Sequence, residues 1–134
     1  MDRPVIKTLT LEGGRIRDIP SFYAEVNRVF MAGEEWSLSE SLDALDDLLH
    51  GGYGVLDGRE PVRLVWNDME ASRSALGITA TAAHLRAKLA RPDRFNVERI
   101  ERQIDGLERG EGPTYFDTVL HILSDHSNIE LVAA

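Results

Sequence analysis

No cysteine occurs in the 134 residues, which excludes a disulfide framework and thiol catalysis and fits a reducing compartment. No apolar run approaches the ~20 residues of a membrane span. No basic-then-apolar leader opens the chain, so the expected location is cytoplasmic. There is no repeat and no low-complexity tract. The length of 134 residues predicts a single domain over 1–134, large enough to bury about two-thirds of its unfolded surface without staples. The most informative absence is local: between Arg28 and Arg59 there is no Lys or Arg. That interval carries seven acids, Glu34, Glu35, Glu40, Asp43, Asp46, Asp47 and Asp57. Setting those seven aside from the 23 acids leaves 16 against 15 basic residues, so one stretch carries seven of the eight net negative charges. A net charge of −8 argues against nucleic acid as a direct partner, because phosphate binding relies on clustered Lys and Arg. It favours a basic protein, whose field would be complementary.

What fills the interval is a helical pattern. Leu38, Leu42, Leu45 and Leu49 recur at helical spacing, and Leu48 widens the stripe. Ser39 and Ser41 are N-cap residues before the run, and Gly51 and Gly52 stop it. At about 100° per residue, Glu40, Asp43 and Asp47 fall within about 60° of one another, opposite the leucines. His50 lies close to that face and Asp46 on its shoulder. Such a face is often merely solvated, and acids in the first turn complement the helix dipole. The dipole does not account for Asp46 and Asp47, which lie further in. Asp43 and Asp47 also repel each other at i, i+4, at a cost of a few tenths of a kcal/mol. Gly51-Gly52-Tyr53-Gly54 reads either as a plain helix stop and turn or as a loop close to a partner, with Tyr53 exposed on it. Trp36 has two readings as well: a cap on the core between the first two helices, or an aromatic anchor for a binding surface.

The remaining elements follow in order. Val5 to Leu11 alternates β-formers with polar residues and ends in a Glu12-Gly13-Gly14 turn. Asp18 and Pro20 open a helix whose stripe is Phe22, Val26, Val29 and Phe30. Val62 to Trp66 is a strand, with Trp66 in the core, where its indole N–H needs a partner. Asn67 or Asp68 caps a short helix from Met69 to Leu76. Ala80 to Ala90 is a helix, Arg91-Pro92-Asp93 breaks it, and Asn96 caps another that buries Val97, Ile100, Ile104 and Leu107. Pro113-Thr114 starts a helix with Phe116, Val119, Leu120 and Leu123 as its stripe, and Ile129 to Val132 is a last strand. Strands separated by helices of crossover length predict an α/β fold with a small three-stranded parallel sheet.

At the acidic helix, Ser41-Leu42-Asp43-Ala44-Leu45-Asp46-Asp47-Leu48-Leu49-x-Gly51 resembles the second helix of the barstar family, the intracellular inhibitors of secreted ribonucleases. That helix typically reads Asn-Leu-Asp-Ala-Leu-Trp-Asp, then a Leu and a Gly. The flanking elements come in the family's order. Trp66 and Met69-Glu70-Ala71-Ser72 hold the places of the family's Leu-x-Leu-Glu-Trp strand and Phe-Glu-x-Ser helix. The resemblance implies three parallel strands with helices packed about them, and an acidic helix and loop that plug a nuclease active site in place of RNA phosphates. It implies Asp47 as the central residue, in a phosphate site and accepting bonds from Arg and His, with Asp43 supporting it. Ser41, Asp46, His50, Gly51, Gly52, Tyr53 and Gly54 would frame the contact, with an aromatic near Trp36. Asp125 matches an acidic rim position on the last helix, and His121 replaces another. Asp46 stands where the family commonly has Trp. Residues 77–112 read as an inserted helical pair.

The same residues admit other chemistry in principle. Paired carboxylates such as Asp43 and Asp47 do acid–base work only in a cleft that perturbs them. A divalent cation at Asp43, Asp47 and His50 has too few ligands on one helix face. His84, His121 and His126 have no metal spacing, and no glycine-rich stretch carries a phosphate-loop pattern. The reading is therefore a monomeric inhibitor of a basic ribonuclease, not an enzyme, with no cofactor, no direct nucleic acid and no membrane contact. The runner-up is an acidic module that recruits some other basic protein. Nucleotide would compete with the first and leave the second alone.

Overall fold

The computed structural model describes residues 6–134. Three strands, β1 (Lys7–Glu12), β2 (Val62–Asn67) and β3 (Ile129–Ala133), form a parallel sheet in the order β1-β2-β3. Their register aligns Leu9, Leu64 and Leu131 across the sheet. Between β1 and β2 come a 3-10 turn (Gly13–Arg15) and helices α1 (Ile19–Phe30) and α2 (Leu42–Leu49). Between β2 and β3 lie α3 (Met69–Ala75), α4 (Ile78–Leu89), α5 (Val97–Glu108) and α6 (Tyr115–Ser124). This is the α/β architecture that the alternation of patterns predicts. The first residue of the expected first strand, Val5, lies outside the described residues. No helix among them is long and apolar enough to cross a membrane.

α1 starts where its capping residues place it. The Asp18 carboxylate accepts from the Ser21 amide at 2.8 Å, and the Ser21 hydroxyl accepts from the Asp18 amide at 2.9 Å. This reciprocal pair satisfies two amides that the first turn would otherwise leave unpaired. Phe22, Tyr23, Val26, Val29 and Phe30 then face inward. The central strand buries alternate residues, Val62, Leu64 and Trp66. The Trp66 indole donates to Ser72 Oγ at 2.9 Å and its ring stacks on Phe22 at 6.2 Å between centroids. That hydrogen bond lets a polar indole N–H be fully buried.

Asp68 occupies the cap position of α3 but makes no side-chain capping bond; its backbone sits in the left-handed region at φ 50°. Of the two expected caps, Asn67 and Asp68, it is thus Asp68 that holds the position, through its backbone alone. Asn96 does cap α5, accepting from the Arg99 amide at 3.1 Å. Ile100, Ile104 and Leu107 are buried, while Val97, expected with them, is only half-buried. They form a patch apart from the main core cluster, and α5 packs chiefly on α4. α4 is tied to the rest through Thr81, whose hydroxyl accepts from the Tyr115 amide at 2.7 Å.

Glu25 is the least expected core residue. It is 2% exposed, accepts from the Glu12 amide at 2.6 Å, and pairs with Arg28 at 2.6 Å. Burial by itself raises its carboxyl, but the Arg28 and Glu12 hydrogen bonds and the Arg28 and Arg15 charges outweigh that and hold it below its ordinary 4.5. A depressed folded value contributes stability above the unfolded value, and that contribution fades as pH falls through the folded one. Glu25→Gln should lower unfolding stability near neutral pH by about 1–3 kcal/mol. The gap between the variant and the parent should then narrow as pH drops below the ordinary 4.5 of the carboxyl. Urea titrations across that range check it, and a gap independent of pH would refute the ionic role.

Candidate functional site

The Ser41 side chain caps α2, accepting from the Ala44 amide at 3.1 Å, so the helix begins at Leu42. Leu45, Leu48 and Leu49 are at most 2% exposed. Their burial leaves Asp43 and Asp47, on the opposite side, exposed. Among the described residues, no side-chain hydrogen bond or ion pair forms at either carboxylate. Glu40 is exposed like them but precedes the cap and so lies outside the helix. The reason lies in Asn27, whose side chain accepts from the Leu38 amide at 2.6 Å and donates to the Leu38 carbonyl at 3.3 Å. Both backbone groups of Leu38 are thus taken outside any helix, and Leu38 is buried as part of a linker. Glu40 and Asp43 border one depression with His84, Lys88 and Tyr115.

After α2 the chain turns sharply. Gly51 has φ +80°, and a Cβ there would lie 2.2 Å from the Gly58 carbonyl oxygen. Gly54 has φ +73°, and its Cβ would lie 2.4 Å from the Phe30 carbonyl oxygen. That carbonyl, at the end of α1, accepts from the Val55 amide at 2.8 Å. The loop is therefore held by backbone bonds at both ends, with Gly52 exposed at its tip. Tyr53, expected to be exposed, is half-buried and packs on Trp36 at 4.9 Å between centroids. Trp36 is 49% exposed and donates to Glu34 Oε2 at 3.1 Å, so it does not cap the core. Burial, and then the negative charge of Asp47, raise the Tyr53 phenol, which keeps it a proton donor beside the acidic face.

The shoulder of α2 holds a group that sequence reasoning missed. Asp46 Oδ1 accepts from His126 Nε2 at 2.8 Å. The His50 ring donates from Nδ1 to the Asp46 carbonyl at 2.9 Å. The two imidazoles meet edge to face at 4.9 Å. His126 is buried in the turn after α6, 80 residues from Asp46, and no spacing in the sequence signals it. Asp125, at the end of α6, is exposed and borders the same depression of about 260 Å³ as Asp46, His50, Arg59 and His126. His121 Nε2 stands 3.9 Å from Asp125. Of the residues singled out from sequence, the structure thus gathers Asp43, Asp46 and Asp47 on one short helix, with His50 at its C-terminal cap. The Gly51–Gly54 loop follows directly, with Trp36 against Tyr53 and Asp125 near Asp46. Ser41 sits at the far end of the helix as its cap.

These features define a small parallel α/β protein that carries unpaired acids on one helix and a backbone-fixed loop behind it. The model of the family described as Barstar (barnase inhibitor) matches residues 6–97, and the chain belongs to that family. The family is one of ribonuclease inhibitors, not of enzymes. The match runs through α4 to the first residue of α5, and so takes in part of the stretch 77–112 that reads as an insertion, and leaves α6 and β3 outside. No curated protein matches the chain.

The loop geometry makes a direct prediction. Gly54→Ala places a methyl against the Phe30 carbonyl at a φ that L-residues rarely adopt. It should destabilise the chain by about 1–3 kcal/mol. It should also speed hydrogen exchange of the Val55 amide well beyond that of the β2 amides. Gly52→Ala, which meets nothing within 4 Å, should be close to neutral.

Proposed function

We propose that the chain inhibits a basic ribonuclease by covering its active site with the outer face of α2 and the loop that follows. The observation that carries this is the pair of exposed carboxylates, Asp43 and Asp47, which make no ion pair among the described residues. Folded chains usually interleave charges of both signs on a helix face, and here one helix has only acids. Asp47 stands in the middle of that face and takes the place of a phosphate, accepting bonds from Arg and His of the nuclease. Asp43 reinforces it from one turn earlier. Asp46, His50, Gly51, Gly52, Tyr53, Trp36 and Asp125 frame the contact, and Ser41 holds the helix that presents it. Glu34, Glu35 and Asp57 lie off the helix and act as steering charges. Residues 1–134 work as one barstar-like domain, with the helical pair within residues 77–112 as an addition to it, of which α4 borders Asp43 through His84 and Lys88.

Rates measured against a barnase-type ribonuclease test the reading. Asp47→Ala should leave the melting temperature unchanged or slightly raised, because repulsion from Asp43 is relieved. It should leave the on-rate nearly intact and speed dissociation by more than about 30-fold, the low end of the roughly 2–5 kcal/mol for stripping one partner from a buried charge pair, a range to which barnase–barstar contacts themselves contributed. Glu35→Gln should slow association slightly at low salt and change dissociation little. Equal costs for the two substitutions would mean a diffuse acidic field, and the single-residue plug would be wrong.

A further inference from the structure

Asp46, His50 and His126 have a feature that nuclease inhibition does not use. A carboxylate oxygen of Asp46 and one ring nitrogen from each histidine all lie within 4.8 Å of one another. We propose that these three side chains form a binding site for a first-row divalent transition-metal ion, with Zn2+ as the natural probe. Two imidazoles and a carboxylate suit such an ion, whereas Mg2+ and Ca2+ prefer shells of oxygen ligands. With metal–ligand bonds of about 2.0–2.2 Å, tetrahedral ligand atoms stand about 3.4 Å apart. Small side-chain rotations would close the three donors to that spacing.

The hydrogen bonds already favour it. A carbonyl only accepts, so the bond from His50 Nδ1 to the Asp46 carbonyl puts the ring proton on Nδ1 and the lone pair on Nε2. An imidazole whose second nitrogen donates to a backbone carbonyl is the usual arrangement of a metal-bound histidine. His126 Nε2 is already drawn to the Asp46 carboxylate at 2.8 Å, and there the metal would take the place of a proton. Asp46 and Asp125 set two negative charges around the depression against the one positive charge of Arg59. The fourth position is open to water or to the Asp125 carboxylate. Bound metal would join α2 to the turn between α6 and β3, where the His126–Asp46 hydrogen bond already links them.

The test uses the intact chain, freed of metal with a chelator and assayed without any nuclease, so its outcome is independent of the inhibitory reading. Calorimetry should give one Zn2+ per chain. At about a 100-fold excess over Kd the melting temperature should rise by about 5 °C or more, and Mg2+ at the same concentration should not raise it. Co2+ should give the intense visible bands of a tetrahedral site. His126→Asn and His50→Asn should each weaken Zn2+ binding at least tenfold and remove those bands, whereas His84→Asn and His121→Asn should keep both. His50 is exposed, so its variant folds even if the buried His126 variant does not. No thermal shift in the parent chain, several equivalent ions per chain, or Zn2+ binding retained in His50→Asn would overturn the proposal.

Discussion

The packing of Leu45, Leu48 and Leu49 beneath α2 sets where every charge on that helix points. A helix of eight residues has almost no stability of its own in water. It exists because its back is buried, each leucine contributing about 1.5–3 kcal/mol. Repulsion between Asp43 and Asp47 opposes this by only a few tenths of a kcal/mol. Burial wins by about an order of magnitude, so the helix can carry unmatched acids without loss of structure. Turning it to hide those acids would expose the leucines, and the fold does not permit that.

The loop after α2 extends the same logic to the backbone. Gly54 lets the chain pass against the last turn of α1, and the Val55 amide bonds to the Phe30 carbonyl there. The Gly58 amide bonds back to the Gly51 carbonyl at 2.9 Å and closes the loop on itself. A loop fixed before any partner arrives has less conformational entropy to lose on binding. Packing of Tyr53 on Trp36 fixes the neighbouring linker in the same way. On the proposed reading, rigid presentation of the helix and loop, more than the number of acids, decides how tightly a nuclease is held.

Much of the fold was legible because it is periodic. Phe22, Val26, Val29 and Phe30 mark α1, Ile100, Ile104 and Leu107 mark α5, and the Val62, Leu64 and Trp66 alternation marks β2. Three strand patterns with helices between them led to the parallel sheet. What escaped rests on single side chains that meet far along the chain. The start of α2 depends on Asn27 holding Leu38, 11 residues away, and this leaves Glu40 before the helix and not in it. Glu25 looks like an ordinary surface acid until its bond to the Glu12 amide buries it. Trp36 reads equally well as core or surface, since one large aromatic beside a linker has no period to orient it. His126 is the extreme case, invisible without the tertiary contact to Asp46.

That contact also changes how the acidic helix should be counted. Asp43, Asp46 and Asp47 look equivalent as charges, yet only two of them are unpaired. Asp46 stands where the family commonly has a tryptophan, and its carboxylate turns toward His126 with its side chain 46% exposed. A tryptophan there would add apolar contact area; an aspartate held by a buried histidine adds neither area nor a free charge to the outer face. A large exposed aromatic beside the loop that follows that face is Trp36, resting on Tyr53 from the preceding linker. If α2 docks on a nuclease, this pair offers apolar contact area beside the helix that Asp46 does not offer from within it. The footprint would be displaced toward the loop, which is where the backbone is most firmly tied to α1.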